Sequence, residues 1–392
     1  MDRPACELAD IVRVHGEQFL KDFGHLLGPG HRSVLFALMN CRTAVLGGHV
    51  DACDHCEHRS ISYNSCRNRH CPKCQGSARD KWLADRSAEL LPVPYFHVVF
   101  TLPQLLAPLA LQNQRVVYGI LFRSVAETLL EVAADPRHLG AEVGFLAVLH
   151  TWGQTLQHHP HVHCVIPGGG LTPAGSRWIS ARNRFLFPVR VLSRVFRGKF
   201  LSRLRTAFRR GQLRFHGRLS ALAGKAGFGK LLDQAYRREW VVYAKPPFGG
   251  PEQVLRYLAR YTHRVAISNH RIVSIADGEV TFCWKDYAHA NRKRKMALPA
   301  CEFLRRFFLH VLPPRFVRIR HFGFMANRWR KARLTICRAL LTPQPTAATV
   351  NSAATTSGDG KLPLCPVCRA GRMHIVERIP SRLGKSSMID SS

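Results

Sequence analysis

The chain has 392 residues, 46% of them hydrophobic, enough for a sizeable core and for two or three domains rather than one. Fifty-eight Lys and Arg against 25 Asp and Glu leave a formal charge of +33. Such an excess repels itself on a compact surface unless a polyanion is the usual partner, nucleic acid first and an anionic membrane second.

No run of about 18 apolar residues exists, so a spanning helix is not expected. The N-terminal MDRPACELAD lacks a basic segment followed by an apolar one, so no secretory signal is visible. The expectation is a cytoplasmic protein with no membrane partner. Its 13 cysteines are then metal ligands or core residues rather than disulfides.

From Leu8 to about Arg42, apolar residues at helical spacing (Ile11, Val14, Phe19, then Val34, Leu35, Leu38) predict two helices divided by Gly28-Pro29-Gly30. A cysteine-rich segment from Cys41 to Cys74 follows, then a charged helix to about Leu91, with Pro92 and Pro94 marking a boundary. YFHVVFTL (Tyr95 to Leu102) and FLAVLHTW (Phe145 to Trp152) read as buried strands with a helical stretch between them. QHHPHVHCVIPGGG (Gln157 to Gly170) reads as a further strand ended by Gly168-Gly169-Gly170, glycines that can let a DNA backbone approach closely. Pro188 opens a basic amphipathic helix to Arg210, with Val191, Val195 and Leu204 on its apolar face. In GGPEQVLRYLARYTHRVAIS, Pro251 suits the first position of a helix that runs to about Arg264. Residues 341–360 have the composition of a disordered linker, and 361–392 form a short tail with one CPVC, Cys365 to Cys368. Strands and helices mix with few regular βαβ alternations, which predicts an α+β fold. The expected division is a small helical, zinc-binding, DNA-contacting domain at 1–92 and a sheet domain at 93–340.

Two knuckles, Cys53-x2-Cys56 and Cys71-x2-Cys74, are separated by fourteen residues. At this spacing four thiolates can share one tetrahedral Zn²⁺, a closed and therefore structural site. Cys66 and His70 lie between the knuckles and leave another ligand set or a second ion open. Arg67, Arg69 and Lys73 sit among the ligands, where a rigid basic knuckle can contact phosphates. The tail pair, Cys365 and Cys368, is half a site to which His374 can add a ligand.

On a strand, alternation points His159, His161, His163 and Val165 to one face. Same-face neighbours are roughly 6.6 Å apart along the strand, close enough for His161 and His163 to converge on one cation, with His159 a step further away. Tyr257 and Tyr261, four residues apart, project from one face of their helix. Both can pack on a core, but Arg256, Arg260, His263 and Arg264 form a basic flank beside them. A tyrosine can form a covalent intermediate with a phosphodiester, and a cation can polarise the phosphoryl oxygens.

HPHVHCVIPGGG together with YLARYTHRVAIS resembles the HUH nucleases, in which a His-hydrophobic-His strand and a tyrosine helix make a single-strand endonuclease. The closer resemblance is to the two-tyrosine transposases of rolling-circle bacterial insertion sequences, including the insertion-sequence common region elements. CRTAVLGGHVDACDHC…YNSCRNRHCPKCQ is similar to their N-terminal zinc-binding domain, and YFHVVFTLP and IRHFGFMANRWR (Ile319 to Arg330) match further blocks. The resemblance covers residues from about 5 to about 335. It implies an antiparallel-sheet HUH endonuclease domain with flanking helices at 93–340, and single-stranded element ends of DNA as partner. It implies that His161 and His163 bind Mg²⁺ or Mn²⁺, with structural Zn²⁺ in the N-terminal domain. It implies also that Tyr257 or Tyr261 attacks a phosphodiester to leave a 5′-phosphotyrosine and a free 3′-hydroxyl. The third metal ligand stays open among His97, His150, Gln154 and Gln157. Lys245, Arg260 and Arg264 are candidate phosphate contacts.

Two other classes compete. A zinc hydrolase of HxHxDH type is disfavoured because Val165 and Ile166 occupy the Asp and His positions. A non-catalytic zinc-dependent DNA-binding protein, or an inactive transposase relative, would keep the charge and the cysteines without the chemistry.

Overall fold

The computed structural model describes residues 4–182, 186–245, 253, 266–287, 289–342 and 362–382. Helices α1 (Leu8–Phe23) and α2 (Pro29–Met39) form where the apolar spacing places them. The Glu7 N–H donates to the Asp10 carboxylate at 2.9 Å and caps α1. Pro29 opens α2, where its missing N–H costs nothing. Strands β1 (Gly48–Cys53) and β2 (Arg59–Tyr63) make a hairpin, and α3 (Gln75–Ser87) follows the cysteine-rich segment.

Strands β3 (Tyr95–Thr101), β4 (Gly144–Trp152) and β5 (His158–Pro167) are long apolar or alternating runs that begin the central sheet. Helices α4 (Ala107–Gln112) and α5 (Gln114–Ala134) connect β3 to β4. Strands β6 (Gly169–Leu171) and β7 (Trp178–Ser180) form a separate ribbon. Helices α6 (Val189–Arg209) and α7 (Lys225–Arg237) lead to β8 (Val242–Lys245). A meander of β9 (Ile272–Ala276), β10 (Glu279–Asp286) and β11 (Arg292–Pro299) precedes α8 (Ala300–Phe308). The described elements end with β12 (Ile319–Gly323), α9 (Arg330–Leu341) and β13 (Met373–Ile379).

The central sheet has five strands in the order β12-β4-β5-β3-β8, every neighbouring pair antiparallel. With the flanking helices this is the α+β class expected from the sequence. Alternation divides the sheet cleanly. One face carries Phe96, Val98, Phe100, Phe145, Ala147, Leu149, Val162 and Cys164 into a core that α5 and α6 cover. The other face carries Tyr95, Leu146, Val148 and Val165 under Phe324, Met325, Leu334 and Cys337. His97, His150, His161 and His163 lie on that second face. The Arg-rich helix α6 therefore packs on the side of the sheet away from them, through Leu192, Phe196, Phe200 and Leu204. Part of its charge is spent on α5, by Arg203 on Glu127 and by Lys199 on Glu131.

The expected division at residue 92 is not how the cores fall. Leu8, Ile11, Phe19, Leu35 and Leu38 share one core with Ile272, Val280, Phe282, Phe303 and Phe307. The tail is not a separate appendage either, because β13 pairs with β1 to make a three-stranded sheet β13-β1-β2. The linker assigned to 341–360 lies outside the described residues, apart from 341 and 342.

The turn between β4 and β5 joins the two cores. Leu156, at φ 63°, turns its fully buried side chain into the second core. The turn carbonyls of Gln154, Thr155 and Leu156 accept from Arg271, Arg306 and His310 respectively. The His310 Nε2–H donates to the Leu156 carbonyl at 3.0 Å, which leaves Nδ1 to accept from the Thr151 hydroxyl at 3.2 Å. Burial pushes the His310 imidazole down to about 4. Between pH 6.5 and 4 the unfolded chain takes up this proton and the folded one does not, so stability falls as pH drops. Between pH 7 and pH 5 the loss from this residue is about 2 kcal/mol. His310→Gln keeps a donor and an acceptor but does not titrate. Denaturant melts at the two pH values should show a smaller acid loss in that variant, and equal losses would exclude His310 as a source.

Candidate functional site

In the antiparallel pairing of β4 with β5, His150 lies opposite His161, and Val148 opposite His163. Directly opposed residues share a face, with Cβ atoms about 4.5–5.5 Å apart. His150 therefore joins the two histidines of the His-Val-His strand. One ring nitrogen from each of His150, His161 and His163 lies within 4.8 Å of the others. The rings of His150 and His163 are 4.2 Å apart, and those of His161 and His163 4.8 Å. His150 and His163 are buried and His161 is half-buried.

Further contacts orient these rings. The His161 Nδ1–H donates to the His159 carbonyl at 2.6 Å, which leaves Nε2 as the nitrogen able to accept a cation. His163 Nδ1 lies 2.7 Å from His97 Nε2, and the two rings stack at 4.9 Å. Trp152 stacks on His150 with centroids 4.7 Å apart. Burial, then the neighbouring imidazoles, hold His163 well below the ordinary histidine value, and burial brings His161 to about 4. Burial and then the charge of Lys245 bring His97 to about 4. Neutral imidazoles with lone pairs at neutral pH are what a metal requires.

Three imidazoles form a donor set that suits Mn²⁺ and its transition-metal neighbours better than the hard Mg²⁺. No carboxylate joins the group among the described residues. Of the four candidates for the third position, His150 is the one in the cluster. His97 stands behind His163 instead. The Gln154 amide donates to the Tyr287 hydroxyl and accepts from the Lys285 N–H, so it ties the β10 end to the turn. Gln157 accepts the Gly153 N–H through its carbonyl. His159 supplies a carbonyl and no ligand to the group, as its position on the strand suggested.

Lys245 lies opposite His97 on the edge strand β8, on the histidine face, and is exposed. Tyr257, Tyr261, Arg260 and Arg264 lie outside the described residues. The glycines do not serve an approaching ligand. A Cβ on Gly168 would meet the Pro94 carbonyl at 2.9 Å, and one on Gly170 the Glu142 carbonyl at 2.5 Å, so this chain's own backbone occupies that space.

The cysteines form two groups, where one had been expected from Cys53, Cys56, Cys71 and Cys74. Cys71 and Cys74 join Cys41 and Cys66, while Cys53 and Cys56 join Cys365 and Cys368. The hairpin β1–β2 carries the first knuckle away from the second, which separates the pairs. In the first group Cys41 Sγ lies 3.7 Å from Cys71 Sγ and 3.4 Å from Cys74 Sγ, and Cys66 Sγ lies 3.6 Å from Cys74 Sγ. Zn–S bonds of about 2.3 Å around a tetrahedron set thiolates about 3.8 Å apart, so this quartet fits Zn²⁺. Cys66 belongs to it and His70 does not. Both His70 nitrogens are engaged elsewhere, Nε2 accepting from the Leu312 N–H and Nδ1 meeting Asn68 Oδ1. Arg69 and Lys73 are not available to phosphates as expected. Arg69 donates to the carbonyls of Leu312, Pro313 and Phe316, and Lys73 pairs with Glu7 at 2.9 Å. Cys41 was missed because it stands alone, without a CxxC partner.

Residues 144–333 match the family model described as "Putative transposase", and residues 11–102 match the one described as "Transposase zinc-binding domain". The chain is 52% identical over 399 residues to "Putative transposase y4qJ" of Sinorhizobium fredii, covering 100% of both. It is 30% identical over 301 residues to the "Transposase for insertion sequence element IS801" of Pseudomonas savastanoi pv. phaseolicola, covering 74% of this chain and 69% of that one. The chain belongs to the IS91-type transposase family. Among solved structures, the conjugative relaxase TrwC in complex with OriT DNA matches 43% of this chain and 71% of its own. Its identity is 15% and its TM-score 0.24, a likeness too slight to carry a fold assignment. Among the described residues, no helix of the transposase is long and apolar enough to cross a membrane.

His97 and His161 should separate in a metal titration. His161→Ala removes a ligand and should abolish Mn²⁺ binding measured by calorimetry. His97→Ala removes only the group behind His163 and should weaken binding by about 10–100-fold. Unchanged affinity in both variants would mean that the histidines hold no metal.

Proposed function

We propose that this transposase cleaves and rejoins single-stranded DNA at the ends of its element through a 5′-phosphotyrosine intermediate. The observation that carries the reading is the convergence of His150, His161 and His163 on one face of the central sheet. When bound there, Mg²⁺ or Mn²⁺ supplies Lewis-acid polarisation of a scissile phosphate.

The chain's own residues supply the rest. The phenolic oxygen of Tyr257 or Tyr261 forms a bond to phosphorus as the bond to the 3′-oxygen breaks, and that oxygen leaves as a free 3′-hydroxyl after taking a proton. The other tyrosine can cleave a second site. Attack of a 3′-hydroxyl on the phosphotyrosine reverses the first step and transfers the strand without an added energy source. Lys245, on the histidine face beside the segment that leads to the tyrosines, neutralises a phosphate near the scissile one, with Arg260 and Arg264 as further contacts. The charge of +33 supports a polyanionic partner.

The test is a protein–DNA adduct that survives denaturation, formed with Mn²⁺ and single-stranded element ends. The Tyr257→Phe/Tyr261→Phe double variant should lose it by several orders of magnitude, as expected when a nucleophile is removed. A wild-type chain that binds the ends but forms no adduct would leave the non-catalytic DNA-binding reading in its place.

Lys245 gives an independent measurement. Lys245→Ala should weaken binding of single-stranded DNA and lower the slope of log K against log salt by about 0.7. An unchanged slope would mean that this lysine contacts no phosphate.

A further inference from the structure

The second cysteine quartet lies half outside the matched zinc-binding segment, since that match ends at residue 102 and two of the four thiols belong to Cys365 and Cys368. From its geometry we infer that Cys53, Cys56, Cys365 and Cys368 bind a second Zn²⁺, which fastens the C-terminal strand β13 to the N-terminal sheet.

The two halves of the quartet are built alike. In each CxxC, the N–H two residues after the first cysteine points at its sulfur: His55 to Cys53 at 3.4 Å and Val367 to Cys365 at 3.4 Å. The residue after the second cysteine takes the left-handed conformation in both, Glu57 at φ 55° and Arg369 at φ 56°. Each turn closes with a backbone bond from its first cysteine, Cys53 N–H to the His58 carbonyl at 2.9 Å and Cys365 N–H to the Gly371 carbonyl at 2.8 Å. Two copies of one knuckle thus face each other at one end of the three-stranded sheet.

The sulfur spacing favours an ion over a disulfide. Cys53 Sγ lies 3.7 Å from Cys368 Sγ, and Cys56 Sγ 3.7 Å from Cys365 Sγ. A disulfide needs about 2.05 Å, whereas thiolates on one tetrahedral Zn²⁺ sit about 3.8 Å apart. Gly371 lets the halves approach, because a Cβ there would meet Cys53 Sγ and Asp54 Oδ1 at 2.5 Å. Asp54 secures the junction by accepting the Arg372 N–H at 2.8 Å and meeting His374 Nε2 at 3.2 Å. His374 is therefore a partner of Asp54 and not a ligand. On binding, four thiols release four protons and a [Zn(S-Cys)₄]²⁻ centre forms.

The two quartets differ in exposure. Each quartet has two buried cysteines, but Cys56 of the second is exposed, whereas no cysteine of the first is more than half-exposed. The second ion should therefore leave first.

The test uses the full chain purified without chelator. Elemental analysis should find two zinc ions per chain, and a chromogenic chelator should remove them in a fast and a slow phase. The Cys365→Ser/Cys368→Ser variant should hold one zinc and lose the fast phase. Should that variant fail to fold, Cys56→Ser, at the exposed ligand, gives the same reading. One zinc per wild-type chain, or a Cys53–Cys368 disulfide in peptide mapping, would overturn the inference. None of these outcomes depends on the catalytic reading.

Discussion

The site depends on the antiparallel register of β4 against β5. A pairing shifted by one residue would turn His161 and His163 into the apolar core and expose Val162 and Cys164. That register is held from both ends. Along the strands, Phe145, Ala147 and Leu149 pack with Val162, Cys164 and Ile166. At the turn, Arg271, Arg306 and His310 grip the carbonyls of residues 154–156. The meander and α8, remote in sequence from the histidines, thereby belong to the machinery that aims them.

The electrostatics of the cluster follow from its residue types. Three neutral imidazoles leave the charge of a dication uncompensated, and Lys245 on the same face adds to it. On the proposed reading, a phosphate backbone is the anion that would balance both. The exposed arginines of α6 lie across the sheet from this surface, so among the described residues part of the positive charge lies away from the histidines.

Strand positions, the α+β class and the His161–His163 pair were legible because alternation and apolar runs are local signals. His150 was visible only as one candidate among four, since choosing it requires the register across a five-residue turn. The sequence favours one zinc site from Cys53, Cys56, Cys71 and Cys74 and leaves a second ion open, because CxxC spacing speaks for local pairs and says nothing of which pairs meet. Cys41 with Cys66, and Cys53 with Cys368, come together through tertiary packing alone. The same limit explains Arg69: its charge suggested a phosphate, but the chain folds three carbonyls around it. The glycine triplet carried the correct signal of close approach and the wrong visitor, its own backbone.

The pairing of β13 with β1 brings together residues more than three hundred positions apart. On a translating ribosome, the first quartet is complete once Cys74 has emerged, while Cys53 and Cys56 wait for Cys368. Through most of synthesis those two thiols and one edge of the β1–β2 hairpin stand open. Emergence of the tail is then the event that closes the N-terminal sheet, so a sheet among the first to be synthesised is among the last to be completed.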